Sequence, residues 1–217
     1  MRSDEFKTEY DKAIAAGEDL FAEQEYVSEL VTSLGTEYSR VKVSSLMDAF
    51  ENLNNNVTWN DAKLIAEYRR LFNTLPSMDK TKVKNSDILK EAEKTLAKIV
   101  SDEIDAIPEH QNDIEEYLLT VRKHYGELTD ESKEYVTNFV KVEKAEAKVF
   151  DDKVEAVKDS DNKEDAVKEL RESYEKLASE TKKYVSRYVD LQKAEAEVVN
   201  VKINDIANDT KKDTIFA

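Results

Sequence analysis

Cysteine is absent from the 217 residues, which excludes disulfides, thiolate zinc sites and cysteine nucleophiles. Glycine and proline are scarce, at 3 and 2 residues. Strands and tight turns draw on both, whereas long helices need few. No apolar run approaches the roughly 20 residues of a membrane span. Met1-Arg2-Ser3-Asp4-Glu5 does not read as a signal peptide but leads into a charged helix. There is no glycine-rich phosphate loop, and histidine occurs only as His110 and His124.

Charge is what the chain has in abundance. Charged residues make up 37%, and 33 basic against 48 acidic side chains leave a net charge of −15. Such a surface repels nucleic-acid phosphates and anionic lipid, so neither nucleic-acid binding nor docking on anionic membranes is expected, and without a long apolar run no membrane insertion is expected either. It suits a neutral or cationic partner. Rich Ala, Glu, Lys and Leu usage adds a strong helical propensity, and the fold class is expected to be all-α.

Three stretches align without gaps from Leu75, Leu128 and Leu177, spaced 53 and 49 residues apart. A first helix carries Ile65-Tyr68-Phe72-Leu75, Leu118-Val121-Tyr125-Leu128 and Val167-Leu170-Tyr174-Leu177. Steps of three and four place each set on one apolar face. A short second helix carries Val83, Val136 and Val185. A long third helix carries Leu89-Ala92-Leu96, Val142-Ala145-Val149 and Leu191-Ala194-Val198, continuing to Ile104, Val157 and Ile206.

Turn chemistry agrees. Ser77, Thr129 and Ser179 are candidate caps of the second helix. Pro76 stands where the first helix must stop, and Thr58-Trp59-Asn60-Asp61 resembles a capping box in which Trp59 packs as a staple. A unit of about 50 residues is marginal alone and gains burial by stacking. The expected architecture is tandem three-helix bundle repeats in an elongated, spectrin-like array. Its parts are a diverged N-terminal bundle at 1–57, repeats at 58–107, 108–158 and 159–207, and a tail at 208–217. Within the first part, helices are expected at Phe6–Ala16, Leu20–Leu34 and Thr36–Leu53, with Gly17 and Gly35 as helix ends. The register of Ile206-Ala207-Asn208-Asp209-Thr210 parallels Val157-Lys158-Asp159-Ser160-Asp161, as if a further unit began there.

Tyr125-Gly-Glu-Leu-Thr-Asp-Glu-Ser-Lys-Glu-Tyr-Val-Thr-Asn, followed by Val142-Glu-Lys-Ala-Glu-Ala, resembles helical repeats of Gram-positive cell-surface proteins. The likeness covers the second and third copies. The first departs from it, with Lys82 in place of Tyr135 and Ser86 in place of Phe139. The resemblance implies a non-enzymatic structural or spacer module of a surface-layer or wall-associated protein, located at the cell surface and supporting assembly or wall attachment. The alternatives are an adhesin-like binding module for a host protein or wall glycan, and a cytoplasmic helical scaffold. Partners would be a cell-wall polymer, another surface protein, or further copies within a surface lattice. No catalytic residue comes with the likeness, and no cofactor is expected.

Chemistry-bearing groups read as structural. His110 lies in a polar loop, and the position of His124 is Ser173 in the next copy. Glu115-Glu116 and Asp151-Asp152 read as solvated helix faces. Asp159-Ser160-Asp161-Asn162-Lys163 starts like a calcium loop but lacks the glycine and the terminal glutamate, so capping by Asp161 or Asn162 is expected instead. Tyr125 and Tyr174 belong to the core stripe. Tyr135, Phe139, Tyr184 and Tyr188 flank the short helix and are the candidate partner-binding residues.

One polar pattern repeats. Lys80, Lys133 and Lys182 are each followed 13 residues on by Glu93, Glu146 and Glu195. The spacing predicts an ion pair or dipole complement joining the second and third helices, with a repeated ligand site as the alternative. If the glutamate is structural, Glu146→Ala changes the melting temperature and leaves partner binding intact, which thermal melting beside a binding assay checks.

Overall fold

The computed structural model describes residues 3–20, 25–53 and 56–215. Among the described residues there are eleven α-helices and no strand. In order they are α1 (Ser3–Leu20), α2 (Glu25–Glu51), α3 (Ala62–Asn73), α4 (Ser77–Lys80), α5 (Ser86–Asp105), α6 (Ile114–Glu127), α7 (Asp130–Lys133), α8 (Val140–Ala156), α9 (Lys163–Lys176), α10 (Ser179–Lys182) and α11 (Tyr188–Ile215). The chain divides into two compact units, one of residues 1–99 with 127–136 and one of 100–126 with 137–217.

In the first unit, Val43, Leu46 and Phe50 on one face of α2 are buried, as are Ile65 of α3 and Leu89, Ala92 and Leu96 of α5. Steps of three and four again set that face. The Phe50 ring is fully buried, with its centroid 6.0 Å from Tyr68 and 6.3 Å from Phe72. In the second unit the core gathers Phe150, Val154 and Val157 with Val167, Leu170 and Leu191, and Tyr174, Leu177 and Val185 pack around them. The first-helix stripes are buried or half-buried as their spacing predicts. The third-helix stripe holds through Ile104 and Val157, but Ile206 is exposed.

Several local expectations are corrected. Gly17 and Gly35 end no helix: both lie inside one, and no residue has positive φ among those described. A Cβ on Gly35 would come 3.1 Å from the Tyr10 ring, so this glycine permits a close approach of α1 rather than a turn. The break expected between Leu34 and Thr36 is therefore absent, and α2 runs through it. Of the three candidate caps only Thr129 acts as one, its hydroxyl accepting from the Ser132 N–H at 3.0 Å. Pro76 and Ala178 precede α4 and α10, so Ser77 and Ser179 are the first helical residues. Thr58 donates its N–H to the Asp61 carboxylate at 2.9 Å. Asn162, one of the two expected caps, caps α9 by accepting from the Asp165 N–H.

Each turn after a short helix is pinned to the long helix that precedes its copy. Asn85 donates to the Met47 carbonyl of α2 at 2.8 Å. Asn138 donates to the Ser101 carbonyl of α5 at 3.0 Å and to Asp105 at 2.8 Å. Asp151 of α8 accepts from the N–H groups of Ser186 and Arg187. Thus α2 serves α3 and α4 as α5 and α8 serve the later short helices. Phe50→Ala removes the aromatic link between α2 and α3 and is expected to cost about 3–5 kcal/mol. Circular-dichroism melting checks it; an unchanged transition would mean that α2 stands apart from α3.

Candidate functional site

The feature that recurs in both units is an arginine–glutamate fork, partly or wholly withdrawn from water. Arg69 of α3 donates through Nε to Glu93 of α5 at 2.7 Å, with a second bond from Nη2. Arg122 of α6 grips Glu146 of α8 through both nitrogens at 2.6 Å. Arg171 of α9 grips Glu195 of α11 in the same way at 2.6 Å. A planar guanidinium matches a carboxylate with two parallel bonds and tolerates partial burial better than an ammonium.

The short helix supplies a third partner. Thr129 donates to Glu93 at 3.1 Å and shares a hydrogen bond with buried Ser132. Fully buried Thr181 donates to Glu146 at 2.8 Å. At α2 the counterpart carboxylate is buried Asp79 of α4, which accepts from Lys82 at 2.7 Å and is influenced by the Ser39 hydroxyl of the long helix. Side-chain exposure of the glutamates rises from 1% for Glu93 to 16% for Glu146 and 30% for Glu195. Glu195 accepts from Arg171, and among the described residues no hydroxyl reaches it.

The expected lysine pairing is thereby corrected. Lys80 lies over the Phe72 ring at 5.8 Å. Lys133 reaches Asp130 at 3.4 Å. Lys182 lies over the Tyr174 ring at 5.0 Å and donates to the Glu175 carbonyl at 3.1 Å. The short helix turns its hydroxyl face to the preceding long helix, which leaves the strongly hydrated ammonium groups at the rim. Arg69, Arg122 and Arg171 occupy matching positions of the three copies, and that recurrence was the signal for the true partner.

The four candidate aromatics separate into two kinds. Tyr135 and Tyr184 are 38% and 39% exposed, with Lys94 and Lys144 ammonium groups 5.9 and 5.5 Å from their ring centres. Phe139 stacks on Tyr125 at 3.7 Å, with the Arg122 guanidinium 5.4 Å away. Tyr188 stacks on Tyr174 at 4.5 Å, and its hydroxyl accepts from Arg171 at 3.1 Å. Phe139 and Tyr188 therefore line the forks, while Tyr135 and Tyr184 present a ring edged by a cation. Tyr135 belongs to the first unit and the other three to the second.

The histidines are held by carboxylates: His124 Nδ1 is 2.9 Å from Glu103, and His110 Nδ1 is 3.1 Å from Asp113 while its ring stacks on Tyr117 at 3.6 Å. A groove of about 380 Å³ in the second unit is lined by Leu118, Leu119, Phe150, Leu177 and Ala178, with the Arg122–Glu146 fork in its wall. Among the described residues no group of three or more His, Asp or Glu is placed to hold a metal ion, and no helix is long and apolar enough to cross a membrane. Comparison with protein-family models, curated proteins and solved structures finds no match to this chain.

Bonding to Arg171 holds the Glu195 carboxyl below its ordinary 4.5, and bonds from Lys82 and Ser39 hold Asp79 below 3.8. A carboxyl held low contributes stability that is complete above its unfolded value and is lost as pH falls through its folded value. Arg69→Met leaves Glu93 buried without a counter-charge and is expected to cost about 3–5 kcal/mol. Arg171→Met is expected to cost less, because water reaches Glu195, and its deficit shrinks once the pH falls below the carboxylate range. Urea denaturation at pH 7 and pH 3 checks the order and the pH effect; equal losses at pH 7 would contradict the burial argument.

Proposed function

We propose that the chain is a non-enzymatic structural or spacer module of a bacterial cell-surface protein, built of tandem three-helix units in an elongated array. The observation that carries this reading is the recurrence of one inter-helix fork at Glu93, Glu146 and Glu195. A contact repeated at matching positions and spent on joining helices is what a stacked mechanical element needs. The three guanidinium groups are taken up by carboxylates and rings, which favours a load-bearing role for them. The likeness of copies two and three to Gram-positive surface repeats supplies the setting: the cell surface, with another surface protein or a surface lattice as partner, a wall polymer being the partner of the second reading below.

A second reading, an adhesin-like binding module, is favoured by Tyr135 and Tyr184 alone. Each combines an exposed ring with an adjacent lysine, and partly exposed aromatics of this kind anchor protein and glycan partners.

Co-sedimentation with protein-stripped Gram-positive cell walls, before and after extraction of their secondary polymers, separates the two. A spacer stays in solution with both preparations, and small-angle scattering returns an elongated monomer. Binding that extraction abolishes, and that a Tyr135→Ala/Tyr184→Ala variant loses without a change in melting, would replace the spacer by the binding module. A compact scattering envelope would remove the array.

A further inference from the structure

The four long helices that carry a fork or its counterpart can be read in one register. Four and eight residues after the polar position lie Val43 and Met47 on α2, Ala97 and Ser101 on α5, Phe150 and Val154 on α8, and Val199 and Ile203 on α11. These positions share a helix face. On the first three helices they are buried or half-buried. On α11 both Val199 and Ile203 are more than half exposed. The polar position changes with them: Glu93 and Glu146 each accept from a threonine of the next short helix, whereas among the described residues Glu195 is bonded by Arg171 alone.

The covering group is seen on α8. Over α8 it is α9 and α10: the Tyr174 ring lies 5.5 Å from Phe150, Val167 and Leu170 close the cluster, and Thr181 bonds Glu146. Two aliphatic side chains held beside a half-satisfied carboxylate are an exposed apolar patch with a polar address. We propose that the α11 face of Glu195, Val199 and Ile203 is a seat for one further helix–short-helix segment of the α9–α10 kind. The segment lays an apolar stripe over Val199 and Ile203 and donates a hydroxyl to Glu195. This rests on the stacked-array reading and adds to it the chemistry of the next partner.

The test is an extended chain in which residues 208–217 are replaced by a second copy of residues 159–207, compared with the chain as it stands. Amide hydrogen exchange of residues 195–206 is the readout. Docking slows exchange there by at least about tenfold, the order of a hydrogen bond to a charged group, and Thr→Val at the added counterpart of Thr181 reverses much of it. If the added segment becomes helical while exchange at 195–206 is unchanged, the seat is wrong although the array survives. If the segment stays unfolded, the seat is wrong as well. Concentration-dependent dimerisation of the unextended chain, abolished by Val199→Lys, would assign the face to a second copy instead.

Discussion

The interlocking of helices depends on a charge that is kept inside. Glu93 is almost entirely removed from water, and a lone carboxylate there would be strongly disfavoured. It is tolerated because Arg69 presents two parallel donors from one side and Thr129 a hydroxyl from another. Each donor comes from a different stretch of chain. The cost of leaving Glu93 unsatisfied therefore fixes the rotation of α3 and the seat of α7 on α5 together. An apolar side chain of similar volume would pack about as well without dictating either.

Aromatic rings extend that control outward. Phe139 and Tyr188 lie beside the Arg122 and Arg171 guanidinium planes and stack on Tyr125 and Tyr174. A ring face so placed shields the ion pair from water and adds a cation–π attraction. Tyr135 and Tyr184 point the same chemistry to the surface with a lysine in place of the arginine. One aromatic–cation theme thus serves the interior at one turn of the chain and its surface at the next.

The graded exposure of Glu93, Glu146 and Glu195 follows from how many neighbours each long helix acquires. On α5 and α8 a later short helix closes over the glutamate, and the hydroxyl arrives with it. On α11 the arginine of α9 is present, but among the described residues no hydroxyl joins it. The substitution at α2, where Ser39 faces Asp79, keeps the complementarity while exchanging the sides. What is preserved through the chain is a donor–acceptor match across each junction rather than a residue type.

The helices, their apolar stripes and the all-α class were legible in the sequence, because periodicities of three and four residues are local and state which face must leave water. Leu75, Val121 and Leu191 needed no tertiary information to be assigned to the core. Gly35 misled, since its reason is the Tyr10 ring passing beside it, and a contact between residues 25 apart leaves no mark on local pattern. The partner of Glu93 was misjudged for the same reason. Lys80 and Arg69 recur with equal regularity, and spacing alone cannot say which side chain crosses the interface. Only the packed structure decided that the rigid, poorly hydrated fork goes inside and the ammonium stays at the rim. It also decided that each short helix leans on the long helix before it.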